Sequence, residues 1–123
     1  MEVKVQKILI VEDEKNLRSL YEIEFTEEGY NVFIASNGKE ALEIFDKEEP
    51  DLIIMDIKMP NIDGIEVMKK MLGKNKDIPI IINSAYSSYM DDFMCWAAKA
   101  YIIKSSDLSE LKLKVKEYLT QLI

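Results

Sequence analysis

Two hydrophobic patterns alternate along this 123-residue chain. Short runs of consecutive apolar residues are typical of strands that are buried on both faces of a sheet. Between these runs, apolar residues recur every three or four positions, which is typical of amphipathic helices. A strand followed by a helix, five times in succession, predicts an α/β fold with one five-stranded parallel sheet and helices on both faces. The predicted strands are Lys7–Val11, Asn31–Ala35, Leu52–Met55, Ile78–Asn83 and Tyr101–Ile103.

Residues that commonly begin or end helices bound the helical segments. The first predicted helix ends near Gly29, and the second ends before Pro50, because the residue preceding a proline disfavours helical geometry. The third begins near Asp63 and ends at Gly73. A short, less regular helix is expected over residues 87–98, and a last amphipathic helix follows the fifth strand.

The composition is ordinary for a globular protein, with 48% hydrophobic and 32% charged residues. We expect a single domain over residues 1–123, because a chain of this length suits one hydrophobic core. No apolar run approaches the roughly 20 residues of a membrane helix, and the charged amino end does not resemble a signal peptide, which predicts a cytoplasmic location. The net charge of −7 disfavours direct binding of nucleic acid and suits a partner with a basic surface.

Cys95 is the only cysteine, and the chain has no histidine. An internal disulfide is therefore excluded, and the thiol is expected to be buried and reduced. Without histidine, a metal would be bound through oxygen atoms, which favours magnesium, calcium or manganese over zinc or copper.

We consider the polar side chains that follow the first, third, fourth and fifth predicted strands. Because the carboxyl ends of parallel strands lie at one edge of a sheet, we expect these side chains to converge there. Singly, an acid could cap a helix, a lysine could be a surface charge and a serine could belong to a turn. Their coincidence at one edge favours a functional site. In chain order these residues are Glu12 with Asp13, Asp56, Ser84 and Lys104.

Three acids at one edge predict a divalent cation. Neighbouring carboxylates repel one another, and a cation removes that penalty. Magnesium prefers oxygen ligands, so we expect Asp13 and Asp56 to bind it directly. Glu12 would bind it directly or through water, and the backbone carbonyl of Lys58 could complete the ligand set.

The same arrangement suits phosphoryl transfer. A metal bridges the oxygens of an incoming phosphoryl group, and a carboxylate can then attack phosphorus to form an aspartyl phosphate. Asp56 is central among the acids and is the candidate nucleophile. The ammonium of Lys104 and the hydroxyl of Ser84 are expected to contact phosphoryl oxygens.

With these residues in place, the chain resembles the receiver domains (CheY-like) of response regulators in bacterial two-component systems. The resemblance covers nearly the whole chain and implies a flavodoxin-like (βα)5 doubly wound fold. The segments that carry it are Val11–Glu14, Met55–Gly64, Ser84–Tyr86 and Tyr101–Lys104.

The resemblance also implies a function and a set of partners. A histidine kinase or a histidine phosphotransfer protein would donate a phosphoryl group to Asp56, with Mg²⁺ or Mn²⁺ held by Glu12, Asp13, Asp56 and the Lys58 carbonyl. The domain would be a phosphoprotein that catalyses its own phosphorylation and dephosphorylation but has no separate substrate. Its further partner would be an effector protein or an output domain, and it would be a monomer or a phosphorylation-dependent dimer.

The resemblance further implies a switch. Ser84 would move toward the phosphoryl group, and the aromatic ring of Tyr101 would then turn inward. The surface formed by the fourth helix, the fifth strand and the fifth helix would change its partner preference. Phosphorylation adds roughly −1.5 to −2 charge, which would shift the balance between two packings that already exist.

Three features depart from the family pattern. Ser105 stands where the family usually has a proline with a cis bond, so the bond after Lys104 is left open as cis or trans. The segment from Ser84 to Lys104 is slightly short, which predicts a trimmed fourth helix. Trp96 in that segment is expected in the core, with a partner anchor as the alternative. Lys58 places a cation beside the acceptor, where we hypothesise that it shields the phosphoryl group.

Three other interpretations stay open. A phosphohydrolase with an aspartate nucleophile would place a second acid two residues later, where this chain has Lys58. A flavodoxin-like module that binds a flavin phosphate is disfavoured because the acids Glu12–Glu14 would repel the phosphate. The complete set of acids and Lys104 argue against a degenerate receiver that serves only as a scaffold, but Ser105 leaves this interpretation open.

Overall fold

The structure, a computed structural model, describes residues 4–59, 62–86 and 97–120, with only the backbone for residues 58, 59, 62 and 63. Its main sheet has five parallel strands, and four described helices pack around it. The strands are β1 (Lys7–Val11), β2 (Asn31–Ala35), β3 (Leu52–Met55), β4 (Ile80–Ser84) and β5 (Ala100–Ile103). The helices are α1 (Lys15–Glu27), α2 (Gly38–Glu48), α3 (Gly64–Lys74) and α4 (Ser109–Thr120).

The strand order is β2-β1-β3-β4-β5, which confirms the predicted doubly wound α/β fold. β3 lies at the centre of the sheet, with β1 on one side and β4 on the other. The register pairs Met55 with Val11 of β1 and with Ile82 of β4. The polar residues that follow these strands therefore leave the sheet at the same edge.

The two faces of the sheet bury separate apolar clusters. Along β3 the side chains alternate between the clusters, as the two-residue period of a strand requires. Ile53 and Met55 pack with α2 and α3, whereas Leu52 and Ile54 pack with α1 and α4. All four residues of β3 are buried, which explains why the strand is a continuous apolar run rather than an alternating one.

The ends of the helices agree with the sequence pattern in some places and differ in others. Asn37 caps α2, since its side chain accepts a hydrogen bond from the Glu40 N–H. Gly29 follows α1 with a positive φ of 98°, which suits glycine. The predicted end of α3 at Gly73 is wrong, because the helix continues to Lys74.

The fourth strand is displaced from its prediction. It begins at Ile80 rather than Ile78, because Pro79 precedes it and contributes only its carbonyl, which accepts from the Ile53 N–H at 3.0 Å. It extends one residue further than predicted, so Ser84 is the last strand residue and not part of the following turn. The predicted fourth helix lies almost entirely outside the described residues, and so do Cys95 and Trp96.

A short antiparallel pair of strands, Lys58–Met59 with Ile62–Asp63, connects β3 to α3 and was not predicted. It brings Gly64 against the backbone that follows β3. A Cβ atom on Gly64 would lie 2.5 Å from Ile57 Cα and 2.9 Å from the Asp56 carbonyl oxygen. Glycine is required there by close packing. Within the described ranges, none of the helices combines the length and the apolar character that spanning a membrane requires.

Candidate functional site

Three carboxylates meet at the carboxyl edge of the sheet. One oxygen from each of Glu12, Asp13 and Asp56 lies within 4.8 Å of the other two. The Asp56 N–H donates to the Val11 carbonyl at 3.1 Å, which holds the ends of β1 and β3 side by side. Glu12 and Asp56 are buried, and Asp13 lies nearer the solvent. The structure thus brings the three predicted acids together around one small volume.

Lys104 supplies positive charge to this cluster. Its Nζ atom lies 2.7 Å from Asp56 Oδ2 and 2.7 Å from Glu12 Oε1. Burial lowers the pKa of Lys104, but the hydrogen bonds to Asp56 and Glu12 outweigh burial, and the net pKa is raised. The ammonium is therefore charged at neutral pH and bridges two acids that would otherwise repel each other.

Burial also has the largest effect on the pKa of Glu12. It raises the pKa of the carboxyl group, and the charge of Asp56 acts in the same direction. The hydrogen bonds from Lys104 and from the Glu14 N–H, at 3.1 Å, oppose this effect without cancelling it. The site therefore favours any added positive charge that would stabilise the ionised form of Glu12.

The bond between Lys104 and Ser105 is trans, since no peptide bond among the described residues is cis. The Lys104 N–H donates to the Ser84 carbonyl at 2.8 Å, which continues the pairing of β5 with β4. The side chain still reaches Asp56, so serine in place of the family's proline does not remove the lysine from the cluster.

Tyr86 connects Ser84 with Tyr101 through hydrogen bonds of its backbone. Ser84 is fully buried, and its Oγ accepts a hydrogen bond from the Tyr86 N–H at 3.2 Å. The Tyr101 hydroxyl donates to the Tyr86 carbonyl. The backbone of Tyr86 therefore contacts both residues: its N–H contacts the Ser84 hydroxyl at the site, and its carbonyl contacts the Tyr101 hydroxyl on β5.

Two residues near the site, Arg18 and Asn83, make contacts that were not predicted. Arg18 on α1 donates to the backbone carbonyls of Glu12 and Asp13, but a single polar residue on a helix gives no sequence signal for such a contact. Asn83 donates to the Tyr21 hydroxyl at 3.0 Å, and both side chains are buried. Asn83 did give a signal, because a polar residue at the end of a buried strand needs a hydrogen-bond partner.

Lys58 lies in the short antiparallel pair, where it is opposite Asp63. Its carbonyl as a metal ligand stays a prediction, and its side chain is not described. The three carboxylates of the cluster indicate which kind of metal the site would bind even without the Lys58 carbonyl. The ligand atoms that Glu12, Asp13 and Asp56 offer are carboxylate oxygens, which hard divalent cations prefer.

Comparison with known proteins gives related sequences. A family model described as "Response regulator receiver domain" matches residues 8–116. Sporulation initiation phosphotransferase F of Bacillus subtilis (strain 168) is 40% identical over 116 residues, which cover 93% of this chain and 94% of the relative. The chain is 37% identical to the Regulatory protein AtoC of Escherichia coli (strain K12) but spans only 25% of that longer relative.

Solved structures of a response regulator are also similar to this chain. The response regulator protein TrrA from Thermotoga maritima, in complex with Mg(2+)-BeF, has a TM-score of 0.89 and 46% identity, over 93% of this chain and 99% of that chain. TrrA in complex with the histidine kinase ThkA has a TM-score of 0.87 and 47% identity, over 94% of this chain and 99% of that chain.

Proposed function

The chain belongs to the response regulator receiver domain family, and from that premise we propose that Asp56 accepts a phosphoryl group from a histidine kinase or a histidine phosphotransfer protein. The protein is a phosphorylation-activated response regulator receiver. One observation carries the assignment of Asp56. Its buried carboxylate lies with those of Glu12 and Asp13 in one cluster, and the Lys104 ammonium is 2.7 Å away.

The donor set fits a magnesium ion. Glu12, Asp13 and Asp56 would hold it, with the Lys58 carbonyl as a further ligand, and Mn²⁺ accepts the same oxygen donors. The bound ion would offset the repulsion among the acids and screen the charge of an incoming phosphoryl group. The Mg(2+)-BeF complex of TrrA supports magnesium as the metal in this family of sites.

The transfer step follows from the residues that surround Asp56. A carboxylate oxygen of Asp56 attacks phosphorus, the bond between phosphorus and the histidine nitrogen of the donor breaks, and the nitrogen keeps the electron pair. Lys104 exchanges its contact with Asp56 for one with a phosphoryl oxygen, and the Ser84 hydroxyl donates to another. Water later hydrolyses the aspartyl phosphate. The domain thus catalyses its own modification and turns over no separate substrate.

The contacts of Tyr86 support a role in switching. When the Ser84 hydroxyl turns toward the phosphoryl group, it releases the Tyr86 N–H, and the position of Tyr86 sets the partner of the Tyr101 hydroxyl. β5 and α4 each present an exposed apolar residue, Ile103 and Leu113, which are 42% and 64% exposed. We assign this surface, formed by β5, α4 and the predicted fourth helix, to contacts with a downstream partner.

The comparisons suggest which partners this chain has. TrrA was solved with the histidine kinase ThkA, which supports a sensor kinase as the phosphoryl donor. A relative of almost the same length suggests a relay that acts through protein contacts, and the longer relative suggests a receiver attached to an output domain. We place the protein in the cytoplasm, as a monomer or a phosphorylation-dependent dimer without direct nucleic-acid binding, consistent with its net charge of −7.

The assignment is tested by incubating the protein with acetyl phosphate and MgCl₂ and measuring its intact mass. We expect one added phosphoryl group on the parent and none on Asp56→Asn. The matched control is Asp46→Asn, which removes a surface acid that pairs with Lys74 on another part of the molecule, and which should be labelled like the parent. Equal labelling of Asp56→Asn and the parent would overturn the assignment of Asp56.

A further inference from the structure

Arg18 is the only arginine in a chain whose other cations are all lysines. It lies in the second turn of α1, and its side chain is partly buried. Its Nη1 atom lies 3.1 Å from the Glu12 carbonyl oxygen and 2.7 Å from the Asp13 carbonyl oxygen. The guanidinium therefore reaches back from the helix to the turn that carries two of the three acids.

These two contacts restrict the backbone of Asp13. The Glu12 carbonyl belongs to the peptide plane before Asp13, and the Asp13 carbonyl belongs to the plane after it. Because each residue has only two soft backbone dihedrals, holding both planes fixes them, and with them the direction of the Cα–Cβ bond. Asp13 is the acid of the cluster that lies nearest the solvent, so burial restrains its position least.

Other hydrogen bonds act on the same turn. Glu14, the N-cap residue of α1, makes no side-chain hydrogen bond to the helix. Its N–H donates instead to the Glu12 side chain at 3.1 Å, and the Glu12 N–H donates to the Ala35 carbonyl at 3.0 Å. The Glu14 N–H lies in the peptide plane that follows Asp13, so this bond and one Arg18 contact both hold that plane, while the other Arg18 contact holds the plane that precedes Asp13.

We propose that Arg18 is a positioning residue for the divalent cation, which sets the affinity for Mg²⁺ by fixing the turn that presents Asp13 and Glu12. The inference rests on the proposed function, since it assumes that the acidic cluster binds the ion. Residues that orient metal ligands from outside the coordination shell commonly change metal affinity by about 10- to 100-fold.

The charge of Arg18 and its contacts with the two carbonyls have opposite expected effects on Mg²⁺ affinity, which makes the proposal testable. Removal of a cation near an acidic cluster increases the local negative potential and would strengthen Mg²⁺ binding if charge alone mattered. Loss of the carbonyl contacts frees Asp13 and weakens binding. The variant Arg18→Met removes both the charge and the contacts, so the direction of the change identifies the larger effect.

The experiment measures MgCl₂ binding by isothermal titration calorimetry, with thermal unfolding in EDTA to verify the fold of each variant. We expect Arg18→Met to bind Mg²⁺ about tenfold more weakly than the parent. The matched control is Lys15→Met, which removes an exposed cation from the first turn of the same helix and should bind at least as tightly as the parent.

Arg18→Met binding as tightly as the parent, or more tightly, would overturn the positioning role and leave the proposed function intact. A parent protein that binds no Mg²⁺ would overturn both. If Arg18→Met does not fold, Arg18→Lys decides, because it keeps the charge on a shorter side chain that does not span both carbonyls. Weaker binding by Arg18→Lys supports the proposal, and unchanged or tighter binding overturns it.

Discussion

At the scale of single residues, Lys104 connects the chemistry of the site to the stability of the fold. Its ammonium bridges Glu12 and Asp56, both of which are buried. A magnesium ion and Lys104 therefore have overlapping roles, since each can offset the charge of these acids. We expect a bound ion to leave Lys104 available for a phosphoryl oxygen.

The raised pKa of Lys104 predicts how this contribution depends on pH. A raised pKa in the folded state means that the contacts stabilise the protein fully below the usual lysine value of 10.5 and that this stabilisation is lost as the pH rises above it. The difference in unfolding free energy between the parent and Lys104→Met should stay constant from neutral pH up to about pH 10 and shrink at higher pH. Urea unfolding in EDTA at a series of pH values measures it.

The control for this prediction is Lys15→Met, which removes an exposed lysine. Its difference from the parent should not shrink in the same range. A difference for Lys104→Met that grows above pH 10 would contradict the prediction.

The sequence identified the residues at the strand ends because parallel topology brings them together without any detail of packing. Asp56 and Lys104 are 48 positions apart in the chain, and their contact follows from the strand order alone. The contacts of Arg18 and Asn83 could not be derived in this way. They depend on which turn of α1 faces the site, and this is fixed by packing.

At the scale of elements, α3 contains two glycines, one at a position with no space for a side chain and one at a position with ample space. Gly64 begins the helix against the backbone of Ile57 and Asp56, whereas Gly73 has nothing within 4 Å of an added Cβ. The prediction that Gly73 ends the helix failed because glycine disfavours a helix without forbidding it, at a cost of roughly 1 kcal/mol relative to alanine. Local preference is overridden here by the packing of the rest of α3.

This contrast predicts opposite effects of the same substitution. Gly64→Ala should destabilise the protein by about 1–3 kcal/mol, because its methyl group would overlap the backbone beside Asp56. Gly73→Ala should stabilise it by about 0.5–1 kcal/mol, because alanine loses less backbone entropy in a helix. Urea denaturation of both variants measures the two effects. A stable Gly64→Ala protein would show that the chain after β3 is free to move away.

Most strands and helices were predictable, because apolar runs and periodic patterns reflect burial directly. β1, β2 and β3 have the predicted bounds. The short antiparallel pair after β3 was not predictable, since a two-residue strand has no periodicity. The bounds of β4 differed because the pattern does not distinguish a paired residue from an apolar one that merely precedes the strand, as at Ile78 and Pro79.

At the scale of the whole molecule, metal binding and folding are linked. The three acids come from two separate turns, so they form a binding site only in the folded chain. A ligand that binds only the folded state stabilises it by about 2.7 kcal/mol at 100 times its dissociation constant. We expect MgCl₂ to raise the melting temperature of the parent in a concentration-dependent way.

Asp13→Asn should show little of this increase, because it removes one carboxylate from the cluster. Asp107→Asn replaces an exposed acid of another loop and should respond like the parent. Differential scanning calorimetry with and without MgCl₂ makes the comparison. The same traces should contain one cooperative transition, as expected for one domain over residues 1–123.

The alternation of β3 side chains between two clusters has a consequence for how this protein can change. A strand that fills both cores tolerates exchange of one aliphatic residue for another, but it does not tolerate a change in length. One residue inserted into or deleted from β3 would send part of its side chains to the wrong face and would carry Asp56 away from its neighbours. Evolution and protein engineering can thus redesign the exposed faces of the outer helices for new partners, while the central strand keeps Asp56 in place.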